Sequence, residues 1–143
     1  MMSKRNEQKL IRIQHVNDLV KIISSYGRRF FFHAGTDMTA RMLMDQRGRL
    51  WWQDEYTGEL IFTHKTTWTN RWKGFSHGGT LRDLVEMMRD YVLNGEPLPS
   101  WIIGPERRLL TDGNIWGYPP EDMQVVREKA KLLPIIAAEG NQS

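Results

Sequence analysis

The four histidines, His15, His33, His64 and His77, never stand at H-x-H, H-x-x-x-H or H-E-x-x-H spacing, and the chain has no cysteine. A zinc site would have to be assembled from distant parts, because a local metal motif needs two ligands at short fixed spacing. No metal and no cofactor are therefore expected. The same lack of cysteine excludes disulfides, thiolate chemistry and a cysteine nucleophile. Asp54, Glu55 and Glu59 gather at a turn but lack the alternating ligands of a calcium loop, so they read as a solvated acidic turn. No G-x-S-x-G elbow exists, and the six serines lie at termini or beside turns. Ser76 beside His77 makes no dyad, since neighbours on a chain usually point apart. No catalytic residue is assigned, and the chain reads as a non-enzymatic binding protein.

The residue types that do cluster are basic and aromatic. Residues 1–53 carry a net charge of +6 and the remainder −3, and no acid lies between Glu59 and Asp83. Such asymmetry suits a polyanion or an acidic protein surface. Within 64–77, H-K-T-T-W-T-N-R-W-K-G-F-S-H, cations alternate with rings. Nucleic-acid binders need cations for phosphates and flat side chains for bases. Lys65, Trp68, Arg71, Trp72 and Lys73 on this loop, with Arg41, Arg49 and Trp51 on the adjoining strands, form the expected interface. A second expectation is an anion site, in which His77, Gly78, Gly79 and Thr80, with Arg82, present backbone N–H groups at the positive end of a helix.

That helix is the clearest element. Leu81, Leu84, Val85, Met88, Tyr91 and Val92 form one apolar stripe, and Arg82, Asp83, Glu86, Arg89 and Asp90 face away. Thr80 and Asp83 resemble a capping box, and Asn94-Gly95 before Pro97 is a stop, so the helix is expected over 80–94.

Ahead of it, 39–45, 49–54 and 59–64 read as an antiparallel meander. A three-residue loop at Gln46-Arg47-Gly48 pairs Leu43 with Trp51 and Met42 with Trp52, which collects Ala40, Met42, Met44, Leu50 and Trp52 on one face. A similar loop at Tyr56-Thr57-Gly58 adds Leu60 and Phe62 to that face, but it sets Glu55 opposite Glu59. The opposite face then carries Arg41, Leu43, Arg49, Trp51, Gln53, Ile61 and Thr63.

Towards the N-terminus, 1–8 are expected as a flexible arm, and a helix capped by Asn17 carries Leu19, Val20, Ile23 and Tyr26 before Gly27 ends it. Arg28 to His33 reads as a strand from its aromatic run. Beyond the main helix, Asp112-Gly113 turns a small hairpin, Pro119-Pro120 opens a helix over 120–133, and 137–143 form a loose tail.

The expected whole is a single α+β domain over 9–136, with helix, meander, helix and a C-terminal helix in that order. This order resembles that of double-stranded RNA-binding domains. The meander and its following helix are similar to plant-type and integrase-type duplex-DNA-binding domains. The likeness is one of element order, since the lysine-rich helix start of the former is replaced by Arg82 alone.

The functional expectation is a nucleic-acid-binding accessory protein. The alternative is a protein-binding inhibitor or adaptor, of the kind phages and mobile elements encode, docking through exposed Trp and Met on an acidic partner. Met42, Met44, Met87 and Met88 read either as core filler or as an adaptable docking patch, with Met87 beside Leu93 as the expected exposed spot. No membrane partner is expected, because no apolar run approaches the ~20 residues that span a bilayer. The polar N-terminus has no apolar segment of a signal peptide behind it, so a cytoplasmic location follows.

Overall fold

The computed structural model describes residues 3–27, 29–63, 74–77, 79–103, 116 and 118–137. Helix α1 spans Lys4–Ser24 and is capped by Ser3, whose side chain accepts from the Asn6 N–H at 3.1 Å. Residues 4–8, expected as an arm, are thus its first turns. The apolar stripe that makes a helix legible begins only at Ile13, then runs through Val16, Leu19, Val20 and Ile23, all buried. Its first turns are held by the cap and by Lys9, whose Nζ donates to the Gly48 carbonyl at 3.1 Å. Asn17 is therefore mid-helix. Its side-chain amide accepts from Met42 N–H at 2.8 Å and donates to Met42 C=O at 3.1 Å, closing both backbone groups on an edge strand.

The expected strand over 28–33 is cut to a two-residue ladder, β1 (Phe32–His33) with β2 (Met38–Thr39). Arg29 and Phe31 adopt φ of 56° and 67°, and left-handed residues break a strand. Phe31 is fully buried against Trp52, ring centres 5.3 Å apart.

The main sheet orders β3 (Arg41–Met44), β4 (Leu50–Gln53) and β5 (Leu60–Phe62) as an antiparallel meander. Between β3 and β4 the register is the expected one: Met42 faces Trp52, Leu43 faces Trp51, and Gly48 takes φ 80° in the loop. Between β4 and β5 the loop is one residue longer. Trp52 pairs with Ile61 rather than Phe62, and Asp54 N–H donates to the Glu59 carbonyl at 3.0 Å. The cause is Asp54, whose Oδ2 accepts from the N–H groups of Tyr56 and Thr57, both at 3.0 Å, and so starts the turn early. This turn also removes the Glu55–Glu59 opposition. A slip of one residue flips a strand. Ile61 enters the core, Phe62 moves to the outer face, and Leu60 is 53 % exposed.

Helix α2 spans Gly79–Asn94 and buries the six stripe residues as expected. Gly95, at φ 76°, donates to the Tyr91 carbonyl at 2.7 Å and ends it. A 3₁₀ helix, Ser100–Ile103, follows. Helix α3, Pro120–Ala130, is shorter than the expected 120–133, because Pro134 disfavours helical backbone at Leu133. It packs on α1 and the 3₁₀ helix, not across the sheet. Tyr118 ties these parts together. Its hydroxyl donates to Ile23 C=O at 2.8 Å and accepts from Phe30 N–H at 3.0 Å, and burial pushes its pKa up to about 12. Gly27, at φ 56°, lies so close that a Cβ there would be 2.3 Å from the Tyr118 ring.

The result is a single α+β domain with helix, strands, helix and C-terminal helix. The hairpin around Asp112 lies outside the described residues apart from buried Trp116, as does the tail from 138 onward. Among the described residues no helix is long and apolar enough to cross a membrane.

Candidate functional site

Alternation along β3 and β4 places Arg41, Leu43, Arg49, Trp51 and Gln53 on the sheet face turned away from α1, with Leu60 and Phe62 from β5 in place of the expected Ile61 and Thr63. Trp51 and Phe62 are cross-strand partners, ring centres 5.0 Å apart and planes at 32°. The Arg49 guanidinium lies 5.9 Å from the Trp51 centre and 5.7 Å from that of Phe62. Arg41 Nε donates to Gln53 Oε1 at 3.1 Å. The structure thus brings Arg41, Arg49 and Trp51 together on one exposed to half-buried face. Lys65, Trp68, Arg71, Trp72 and Lys73 lie outside the described residues.

Asp45 organises this face. Its carboxylate accepts from Trp51 Nε1 at 2.9 Å, Arg49 Nε at 2.8 Å, and the backbone N–H groups of Arg47 and Arg49, both at 2.9 Å. The Trp51 hydrogen bond, with the Arg49 and Arg47 donors, holds its pKa well below the carboxylate range. A folded-state pKa that is depressed stabilises the protein above the unfolded value of about 3.9, and this contribution is lost as pH falls through that range toward the folded value. Asp45→Asn should therefore melt below the wild type at neutral pH, with the gap closing under acid. A gap that stays constant with pH would show that Asp45 acts by shape alone.

Two concavities flank the Trp51–Phe62 pair. One, about 440 Å³, is lined by Leu43, Met44, Asp45, Trp51 and Leu60. The other, about 530 Å³, lies between the sheet and α2, beside Arg49, Phe62 and Asp90. The methionines offer less: Met42 and Met88 are fully buried in the core, while Met44 and Met87 are partly covered.

At the start of α2, Gly79 and Thr80 are exposed, and Gly78 lies outside the described residues. His77 is turned inward. Its Nε2–H points at both Glu55 oxygens, 2.8 and 3.0 Å away, and its ring sits among Phe31, Phe75 and Phe30 at 5.0, 5.6 and 6.0 Å. It therefore serves Glu55 rather than an anion. Arg82 likewise lies 3.7 Å from the Glu86 carboxylate.

Chain order hid this pairing, because Glu55 and His77 are 22 residues apart and the acidic turn read as solvated. Both Asp54 and Glu55 are in fact buried. Asp54, Glu55 and His77 offer ligand atoms within 4.8 Å of one another. Asp54, however, also accepts from Ser76 N–H at 2.7 Å and Ser76 Oγ at 2.9 Å, in addition to Tyr56 and Thr57. These donors, with the Thr57 hydroxyl at 3.3 Å as a fifth, fill the lone-pair directions of the carboxylate. Glu55 and His77 alone fall short of the three or four protein ligands of a zinc site. The trio is a latch joining the β4–β5 turn to the entry of α2.

The chain is 28 % identical over 131 residues to the SPbeta prophage-derived uncharacterized protein YoqU of Bacillus subtilis (strain 168), an alignment covering 92 % of this chain and 87 % of that one. No solved structure gives a significant match. The YoqU family model matches residues 6–140, from the first turn of α1 to beyond the last described residue, and the protein therefore belongs to the YoqU family.

Proposed function

We propose that this protein is a prophage-type accessory factor that binds nucleic acid in the cytoplasm through the outer face of its three-stranded sheet. The carrying observation is the adjacent Trp51–Phe62 pair with the Arg49 guanidinium against both rings. Paired rings on one face of an antiparallel sheet make a stacking platform that tolerates any base, because every base has a π-face. Arg41, Arg49 and the excess positive charge of residues 1–53 supply the phosphate attraction. The relationship to a prophage-derived protein supports the phage-type part of this reading.

Fluorescence anisotropy with labelled single strands and duplexes across a salt series tests it. Trp51→Ala should weaken binding by ~1–3 kcal/mol through lost stacking. Arg49→Ala should flatten the plot of log affinity against log salt by about 0.7–0.9 through one lost phosphate contact. No binding of any strand at low salt would reject the proposal.

The 440 Å³ concavity favours a second reading, an inhibitor or adaptor that docks on an acidic protein surface. Its lining is mostly apolar, with Leu60 exposed at its edge, and Asp45 offsets part of the Arg49 charge. Under that reading a single Trp51→Ala change dominates the loss and the salt slope hardly moves. Partner capture would then persist after nuclease treatment.

A further inference from the structure

We propose that the concavity between Phe62 and α2 is a subsite for one nucleobase carrying an exocyclic amino group, with its phosphate held outside by Arg49. This rests on the nucleic-acid reading of the sheet face and names what the pocket beside that face takes. The concavity, about 530 Å³, is bounded by Arg49, Leu50, Phe62, Thr63, Asp90 and Leu93. That is within the ~300–1,000 Å³ typical of small-ligand sites. Leu50, Phe62 and Leu93 make its walls apolar, as a flat heterocycle requires.

Three charged groups break the apolar lining: Arg89, whose guanidinium is spent on Asp90 and the Thr63 carbonyl, and Arg49 and Asp90, each of which has a defined unused side. Asp90 Oδ1 accepts from Arg89 Nε at 3.1 Å and Nη2 at 2.9 Å, while Oδ2 has no partner among the described residues. The Asp90 side chain is 40 % exposed, whereas Arg89 is 8 % exposed and anchored by donating from Nη1 to the Thr63 carbonyl. The carboxylate is thus held in place with one acceptor oxygen to offer. Arg49 gives its Nε to Asp45, and among the described residues no group accepts from its terminal nitrogens.

Charge then sets the orientation. A phosphate inside the pocket would meet Asp90, so the phosphate stays with Arg49 and the base amine donates to Oδ2. An acidic protein partner would meet the same repulsion. An uncharged apolar side chain would leave Oδ2 desolvated without a donor. Cytosine, adenine and guanine carry the required amino group and thymine does not. The chemistry, an amino-bearing base next to a phosphate, is common to a free nucleotide and to a residue within a single strand.

The test is anisotropy on the full chain with equal-length deoxycytidine and deoxythymidine oligomers, which match in ring size and lack self-structure. The deoxycytidine oligomer should bind about tenfold tighter, the value of one charge-assisted hydrogen bond. Asp90→Asn should erase most of that preference. Because it also loosens Arg89, Leu93→Trp provides a second variant: it fills the concavity from an exposed helix position and should lower the deoxycytidine affinity to the deoxythymidine level. Competition by cytidine monophosphate would identify a free nucleotide as a sufficient source, and competition by the oligomer alone would identify a strand. Equal affinity for both oligomers, still lost with Trp51→Ala, would overturn the subsite and leave the sheet-face reading standing. No binding of either oligomer would overturn both.

Discussion

Trp52→Ala is expected to cost about 3–5 kcal/mol of stability, the range for emptying an aromatic site in a packed core. Trp52 is fully buried, sits opposite Met42 and Ile61 in the middle strand, and meets Phe31 edge-on. It is one of the largest side chains joining the sheet to the rest of the core, so its removal leaves a cavity lined by elements that cannot all collapse inward. Its indole Nε1 has no acceptor among the described residues. Trp52→Phe should therefore recover much of the loss, because it deletes an unsatisfied donor along with some volume. Chemical denaturation of the three proteins measures the series. An alanine variant as stable as the wild type would show that the β3–β4 register does not hold in solution.

His77→Ala is the second large effect, expected at about 3–5 kcal/mol, because it strands a carboxylate inside the protein. The Glu55 side chain is 5 % exposed, and its two oxygens face the His77 Nε2–H. Without the imidazole that charge has no hydrogen-bond partner among the described residues, and the three phenylalanines around the imidazole cannot supply one. The double variant Glu55→Gln with His77→Ala should be more stable than His77→Ala alone, since it removes the buried charge. Simple addition of the two single effects would show that the pair is not coupled. Because the latch ties the β4–β5 turn to the entry of α2, amide exchange in residues 54–58 and 79–82 should quicken in His77→Ala.

Local pattern was enough for several elements. The stripe from Leu81 to Val92 specifies one helix face whatever packs on it, and α2 is the element it describes. The β3–β4 hairpin follows from Gly48 in a position that favours left-handed backbone, together with a segregation of apolar residues that one register satisfies and its neighbours do not. Since that register alternates sides, Arg41, Arg49 and Trp51 were also legible as sharing a face. The first turns of α1 were not, because Leu10 and Ile11 are exposed and nothing periodic precedes Ile13. Asn17 misled for a related reason: an amide that caps helices is equally able to pair with a strand edge, and only the position of Met42 decides which.

The amino-acid sequence by itself determined the class of the fold, the main helix, the first hairpin and the basic, aromatic character of one sheet face, all of which follow from spacings within a few residues. Only the tertiary structure decided the last strand. Asp54 accepts donors from both its own turn and Ser76, and this one carboxylate sets a four-residue connection where a three-residue one suited the nearby pattern. That choice turned Phe62 outward to join Trp51 and drew Glu55 inward to His77, two contacts between side chains whose positions along the chain say nothing of each other. The energy that selects them comes from satisfying buried polar groups, a condition that exists only once the chain has closed around them.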